Sequence, residues 1–140
     1  MSELNFNSIY DGVSMALHNA FPDRHVHGGS VAQGLVLGDF NVVMPSAAQT
    51  REVGHRFKRS LVVDVIYYPK DGNTDCYDMA HQLSGVLQSI QTPQGDIIHA
   101  TSCEWEASGG VLHMLLEYDH FIYVPQEEAL MDHLHIEQEG

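Results

Sequence analysis

The 140-residue chain has little positive charge and little cysteine. Six lysine and arginine residues stand against 19 aspartate and glutamate residues, so the formal net charge is -13 with histidine neutral. This balance argues against a protein that holds nucleic acid over a broad basic surface. The two cysteines, Cys76 and Cys103, form neither a CxxC pair nor a disulfide framework, so we predict free, half-buried thiols.

The sequence also lacks a membrane span and a secretion signal. No apolar run is long enough to cross a bilayer, and the N-terminus MSELNFNSIYDG has neither a positive flank nor an apolar stretch. We therefore expect the chain to fold in the cytoplasm. Its length suits a single domain over residues 1–140, with the last five residues frayed.

Periodicity predicts two main helices and a set of strands. Apolar residues at spacings of three and four mark a helix over residues 4–21, capped by Asn5 or Asn7 and ended by Pro22. A second helical stripe runs from a cap at Asn73 or Thr74 to Ile90. Runs of β character fall at Arg24–Gly34, Leu35–Met44, His55–Tyr68, Ile97–Glu106 and Val111–Val124.

These elements predict an α+β domain. We expect a mostly antiparallel sheet with its two main helices packed on one face, in the order α-β-β-β-α-β-β. The stretch PSAAQTREVG, which has no clear period, is expected to be an exposed loop, and residues 126–135 a short C-terminal helix.

No sequence motif specifies catalysis. The chain has no GxGxxG, Walker lysine motif, HExxH or GxSxG. Among its ten histidines, His25 and His27 alternate on a strand, whereas His113 and His120 face opposite ways on the last strand. Catalytic zinc needs three converging ligands, and no third ligand is specified. Solvated or singly hydrogen-bonded histidines are therefore preferred, and we predict no catalytic residue, metal or cofactor.

Most of the positive charge lies in one short stretch, REVGHRFKRS. It contains Arg51, Arg56, Lys58 and Arg59, four of the six basic residues. A solvated loop is the default interpretation. A nucleic-acid site is disfavoured because single-strand binders place aromatic side chains between their basic ones, and only Phe57 is present.

Acidic side chains on the strands offer partners for this basic stretch. Asp64 lies opposite the core face of its strand, and Glu117 and Asp119 share one face of the last strand. Such carboxylates could act in acid–base catalysis or bind a metal. Solvation, or contact with the basic residues of the same chain or of another copy, is the preferred interpretation.

Several stretches resemble the small phage tail terminator family of contractile-tailed phages, prophages and phage-derived particles. They are VAQGL, VGHRFKRSLVVDVIYYP, CYDMAHQL and GVLHMLLEYDHF, and the similarity extends over about residues 4 to 132. These are packing and turn motifs rather than catalytic ones. The family's Gly-x-Arg corresponds to Gly54-His55-Arg56. The family tends to have Asp-Gly where this chain has Gly109-Gly110, so this turn departs from the pattern.

The resemblance implies a structural role and no enzyme activity. Terminators of this family form a ring, usually a hexamer, that caps the head-proximal end of the tail tube and ends polymerisation of tube and sheath. The implied partners are the chain itself, the tube protein, the sheath and the head connector. DNA passes through the lumen without specific binding, no membrane is involved, and the chain resides in the virion neck or a tail-like particle assembled in the bacterial cytoplasm.

A ring would give the basic stretch a role. Residues 51–59 of one subunit are expected to face an acidic patch of the next, formed by Asp64, Glu117, Asp119 or the 126–139 tail. Two alternatives remain open. One is a small metal-dependent hydrolase using His25, His27 and a carboxylate. The other is a regulatory module that binds a small ligand in a dimer.

Overall fold

A computed structural model describes residues 5–28 and 36–123, and strands make up 49% of them. The two helices are α1 (Phe6–Ala20) and α2 (Gly72–Val86). The strands are β1 (Val26–Gly28), β2 (Phe40–Arg51), β3 (Arg56–Tyr67), β4 (Ser89–Gln91), β5 (Ile97–Ser108) and β6 (Val111–Tyr123).

Helix α1 begins and ends where the sequence predicts. The Asn5 side chain accepts a hydrogen bond from the Ser8 backbone amide at 2.9 Å, and the Ser8 hydroxyl returns the contact to the Asn5 amide. This capping box satisfies two backbone donors that the first turn cannot pair internally. The helix ends at Ala20, just before Phe21 and Pro22. The predicted helix and its Asn5 cap are therefore confirmed.

Helix α2 differs from the prediction at both ends. It begins at Gly72, so Asn73 and Thr74 lie inside the first turn and cap nothing. Instead, the Asp75 carboxylate accepts backbone hydrogen bonds from Lys70 and Asp71 just before the helix. The helix stops at Val86, and Ile90, predicted to extend its stripe, is a buried residue of β4. Because Ile90 is apolar and buried, it continued the helical pattern in the sequence, and the end of the helix at Val86 could not be recognised.

All six strands form one curled, mixed sheet in the order β1-β2-β3-β6-β5-β4. β1 runs parallel to β2, whereas the other four neighbouring pairs are antiparallel. The predicted architecture is therefore wrong: three strands follow α2, in the order α-β-β-β-α-β-β-β, and the sheet is mixed. Strands of three residues are too short to show alternation, which is why β4 was missed. The predicted helix at 126–135 lies outside the described residues.

β2 continues through the stretch that was predicted to be a loop. Residues 46–51 pair with β3 after a register shift between Val43 and Ser46, and Pro45 lies at this irregularity. Proline is tolerated at a bulge because no ladder hydrogen bond is needed there. Residues 45–51 are all exposed, so neither face supplies the apolar alternation by which a strand is recognised.

β3 and β6 form the centre of the sheet and separate its two faces. Leu61, Val63, Val65 and Tyr67 of β3 are buried, as the alternation predicted. They pack with residues of both helices on the helix-side face. The opposite, outer face carries the even-numbered residues of β3 and the odd-numbered residues of β6. His120 faces the helix side and His113 the outer face, as expected from their parity.

A tight hairpin joins the last two strands. Gly109 and Gly110 have φ values of +60° and +79° and form the turn between β5 and β6. Two consecutive positive φ values are typical of a two-residue hairpin turn whose twist matches that of the strands. Within the described residues, 5–28 and 36–123, no helix is long and apolar enough to cross a membrane.

Candidate assembly interface

The basic stretch forms the end of a β-hairpin. Arg51 is the last residue of β2, and Arg56, Lys58 and Arg59 lie at the start of β3. Gly54, with a φ of +73°, lies in the connecting turn. The stretch is therefore a strand–turn–strand rather than a solvated loop, and it exposes cations on both faces of the sheet.

Arg56 is held by neighbours in its own chain. Its guanidinium contacts the Glu52 carboxylate, with Nη2 at 2.7 Å and Nε at 2.9 Å from Oε1. The same guanidinium lies 4.5 Å from the centre of the Phe121 ring on β6. An ion pair and a cation–π contact from two directions fix the orientation of a long side chain that remains half exposed.

Lys58 forms an ion pair across the strands. Its Nζ lies 3.5 Å from Asp119 Oδ2, and Thr101 Oγ1 lies 3.2 Å from the same oxygen. The Thr101 hydroxyl is also 3.2 Å from Glu117 Oε2. The structure thus brings Lys58, Glu117 and Asp119 together on the outer face of one chain. Contact of the same residues with another copy stays a prediction.

Arg51 and Arg59 face the helix side. The Arg51 guanidinium lies 5.9 Å from the Phe57 ring. Arg59 donates from Nε to Gln49 Oε1 at 2.7 Å and lies 5.5 Å from the ring of Phe6 on α1. Two of the four cations therefore lie on each face of the sheet. The odd numbers of Arg51 and Arg59 were consistent with this division, but the sequence alone did not predict it.

Asp64 is paired within the chain and lies away from the basic stretch. His113 Nδ1 lies 3.1 Å from Asp64 Oδ2, across the β3–β6 pair. The predicted site residues on the outer face therefore form two groups. One is the ion-paired group around Asp119, which lies opposite Ser60 of β3. The other is the Asp64–His113 pair, four residues further along β3.

His120 is an unusual buried imidazole that no sequence motif marks. His120 is only 6% exposed, and neither of its ring nitrogens has a hydrogen-bond partner among the described residues. Its ring meets Phe6 edge to face, and Arg59 lies opposite it on β3. Burial lowers the pKa of His120, and the nearby Arg59 cation lowers it further. The sequence signal that could have predicted this burial is the even number of His120, which it shares with the buried Tyr118 on the same strand.

Exposed aromatic side chains were also missed. Trp105 on β5 is 54% exposed, and Phe121 and Tyr123 at the end of β6 are 53% and 72% exposed. Aromatic residues are enriched at protein–protein interfaces because they bury large areas at small entropic cost. Odd parity places Phe121 and Tyr123 on the outer face of β6, whereas the parity of Trp105 gave no warning, since it shares the face of buried residues but lies near the rim of the sheet.

The hydrolase alternative requires a metal site at His25, His27 and a carboxylate, and the carboxylate near both histidines is that of Asp39. His27 Nε2 lies 3.0 Å from Asp39 Oδ2, and His25 Nδ1 lies 4.0 Å from it. The backbone amides of His25 and Val36 also donate to this carboxylate. Burial would raise the pKa of Asp39, but these hydrogen bonds outweigh it and lower the pKa. Among the described residues, no three histidine, cysteine, aspartate or glutamate side chains could hold a metal.

Two small surface pockets formed by described residues could hold a ligand. One of about 200 Å³ lies beside Arg24, Gly38 and Lys70, and another of about 250 Å³ lies beside Val62 and Glu104. Small-molecule sites usually enclose roughly 300–1,000 Å³. Neither pocket therefore offers the concave, convergent polar site that the regulatory alternative requires.

Comparisons with known proteins agree with the sequence resemblance. A family profile described as phage tail terminator protein matches residues 8–129. A chain from a structure titled "Virion of native gene transfer agent (GTA) particle" is 12% identical, with a TM-score of 0.50, and the alignment covers 84% of this chain and 93% of that one. At this identity the likeness shows the fold alone. No curated protein matches the chain.

Proposed function

Because the chain belongs to the phage tail terminator family, we propose that it assembles into a ring, a hexamer, that caps the head-proximal end of a phage tail. The ring ends polymerisation of the tail tube and the sheath and offers the surface on which the head connector docks. The observation that carries the proposal is the family match over residues 8–129 of a 140-residue chain. A virion particle among the structural neighbours supports the same role.

The charge of the chain suits a ring through which DNA passes. A net charge of -13 repels a phosphate backbone, so DNA would slide through an acidic lumen without being held. Two of the four cations in the basic stretch, Arg56 and Lys58, already form ion pairs with Glu52 and Asp119. The chain acts in the virion neck, or in a headless tail-like particle, and is assembled in the bacterial cytoplasm.

Deletion of the coding sequence from the phage or prophage that carries it tests this function. We expect tails of irregular or excessive length that lack attached heads, seen by negative-stain electron microscopy. Expression of the wild-type chain in trans should restore uniform tails. Uniform, head-bearing tails without the chain would contradict the proposal. Immunogold labelling of the complemented particles should place the chain at the neck.

A further inference from the structure

The sheet has a long free edge along β2. β1 covers only Phe40, Asn41 and Val42, whereas β2 continues to Arg51 with β3 on its other side. Within the described parts of the chain, no strand pairs with the outer edge of residues 46–51, and these residues are exposed. A regular strand with one unpaired row of backbone groups is a template for another strand.

A second free edge lies at the other side of the sheet. β4 pairs with residues 97–99 of β5, and Gln88 contacts Ala100. Beyond these contacts, residues 101–108 of β5 have β6 on one side and no described strand on the other. This edge carries Glu104 and Glu106, which are exposed and form no ion pair with any described side chain, and the exposed Trp105.

The two edges run in compatible directions. β2 is antiparallel to β3, β3 to β6, and β6 to β5, so β2 and β5 point in opposite directions within one subunit. Rotation about a ring axis keeps each strand's direction along that axis. β5 of one subunit therefore meets β2 of the next as an antiparallel pair, which joins the two sheets without any change in the fold.

We propose that neighbouring copies of this chain join edge to edge, with β2 of one subunit paired antiparallel to β5 of the next. The proposal rests on the proposed ring function and names the surface that closes the ring. The midpoints of the free segments 46–51 and 101–108 lie between residues 48 and 49 and between residues 104 and 105. Of the two nearest registers that keep opposed side chains on the same face, we take the one that places Ala48 opposite Glu104. In this register, residues 46–50 face residues 106–102, and every opposed pair has both side chains on the same face of the joined sheet.

This register suits the side chains on both faces. On the helix side, Trp105 lies opposite the small Ala47, which leaves room for the indole, and Cys103 lies opposite Gln49. On the outer face, Glu104 lies beside Ala48, whose short side chain leaves the way open to Lys58 on the adjacent strand. Glu104 of one edge thus approaches Lys58 of the other, which is the charge complementarity expected of a specific contact, whereas Glu106 lies opposite Ser46.

The same register specifies how the strands are inclined. Ala48 is level with Asp119 on β6 through Ser60, whereas Glu104 is level with Leu115. The joined edges are therefore offset by a rise of about 13 Å along the strands over four strand spacings of about 4.8 Å. This offset corresponds to strands inclined by roughly 35° to the ring axis, at the lower limit of the tilts found in closed sheets.

Cysteine cross-linking tests the contact with the native Cys103. Gln49→Cys would place a thiol opposite Cys103 of the next subunit, whereas β3 and β6 separate the two positions within one chain. Particles assembled with this variant are treated with a short bis-maleimide at mildly alkaline pH, because burial raises the pKa of the Cys103 thiol. We expect covalent multimers up to the full ring on a denaturing gel.

Two controls isolate the edge contact. Gln49→Cys combined with Cys103→Ser should lose the multimers, and Gln82→Cys, the same exchange at an exposed position of α2, should give none. A second variant, Ala48→Cys/Glu104→Cys with Cys103→Ser, tests the outer-face pair without disturbing the hydrogen bond of Gln49 to Arg59.

The outcomes separate this inference from the proposed function. Multimers that depend on both cysteines support edge pairing. Normal particles that contain either cysteine variant but give no covalent multimers overturn edge pairing and leave the terminator function intact. Normal tails formed in the deletion strain, where the chain is absent, would overturn the proposed function and the edge contact with it.

Discussion

Lys58 Nζ lies 3.5 Å from Asp119 Oδ2, so the basic stretch finds an acidic partner within its own chain. The Asp119 carboxylate is only 11% exposed, whereas the lysine side chain is 40% exposed. An ion pair with one solvated partner contributes at most about 1 kcal/mol to folding. The pair is therefore a weak contribution to stability, and Lys58 keeps enough exposure to meet a carboxylate of a neighbouring subunit as well.

Reversal of charge separates these two roles of Lys58. The double variant Arg56→Glu/Lys58→Glu should weaken the ring while the monomer stays folded, because both side chains lie on exposed strand positions. Native mass spectrometry over a salt series measures the ring, and circular dichroism measures the fold. Normal assembly of this variant would contradict a role of the basic stretch in the interface.

Lys58→Glu/Asp119→Lys, compared with Lys58→Glu alone, isolates the part played by Lys58. It restores an ion pair within the chain but leaves a negative charge at position 58 facing the neighbour. If the exchange recovers stability without recovering the ring, Lys58 acts between subunits. Full recovery of the ring would assign the effect to the contact within one chain.

Trp105 should report assembly directly, because it is the only tryptophan in the chain. Its indole is 54% exposed in one subunit and becomes buried when β5 meets β2. We expect a blue shift of its emission as the protein is concentrated, and loss of the ring in Trp105→Ala. Tyr77→Ala, at a 61% exposed aromatic on α2, should assemble normally. An unchanged ring in Trp105→Ala would exclude the indole as an anchor.

His120 should make the fold sensitive to mild acid. Its pKa is lowered in the folded chain, so the unfolded state binds a proton more readily. Stability from this group is complete above the unfolded pKa of about 6.5 and declines as the pH falls through it, levelling off below the folded pKa. Burial is the largest cause of the lowered pKa; the Arg59 cation adds to it, and the Asp119 carboxylate opposes it.

Chemical denaturation between pH 8 and pH 5 measures this dependence. His120→Phe should flatten the decline between pH 7 and pH 5, whereas His81→Phe, at an exposed position of α2, should leave it unchanged. Carboxylates titrate at lower pH and affect all three proteins equally. An identical decline in the wild type and in His120→Phe would show that the imidazole finds a partner when protonated.

Tyr67 joins β3, helix α2 and the loop before β1 through its hydroxyl. It donates to Asp75 Oδ2 at 2.8 Å, and Arg24 Nη1 donates to it at 3.1 Å. Burial and the bond to Asp75 raise the pKa of Tyr67 to about 12. Tyr67→Phe leaves Asp75 with only its backbone donors and should cost about 1–2 kcal/mol in the free energy of unfolding.

Urea titration measures this cost, with Tyr68→Phe as the control on the next residue. The control should change stability by less than about 0.5 kcal/mol, because it keeps the network intact. Equal stability of Tyr67→Phe and the wild type would show that the hydroxyl network contributes nothing to the fold.

Much of the fold could be predicted from periodicity. The capping box at Asn5 and the clean alternation of β3 have unambiguous local signals, and both are confirmed. β4 and the outer half of β2 could not be predicted. The first is too short to alternate, and the second is exposed on both faces, so its strand conformation depends on pairing with β3 rather than on burial.

The candidate interface was predictable only in its residue types. Parity placed Lys58 and Asp119 on one face, but the strand order that brings them together depends on long-range pairing. The free edges of β2 and β5 had no sequence signal, because an edge is defined by the strands that do not cover it. Trp105 showed the parity of a core residue, and only the sheet shape exposes it.

Native mass spectrometry of the tag-free protein, with and without a chelator, tests the central claim most directly. One spectrum reports both the number of copies and any bound metal. The account predicts a closed species of six 15.6-kDa chains, about 94 kDa, whose mass the chelator does not change. A species of one or two chains carrying one metal ion per chain would contradict it and would favour the hydrolase alternative.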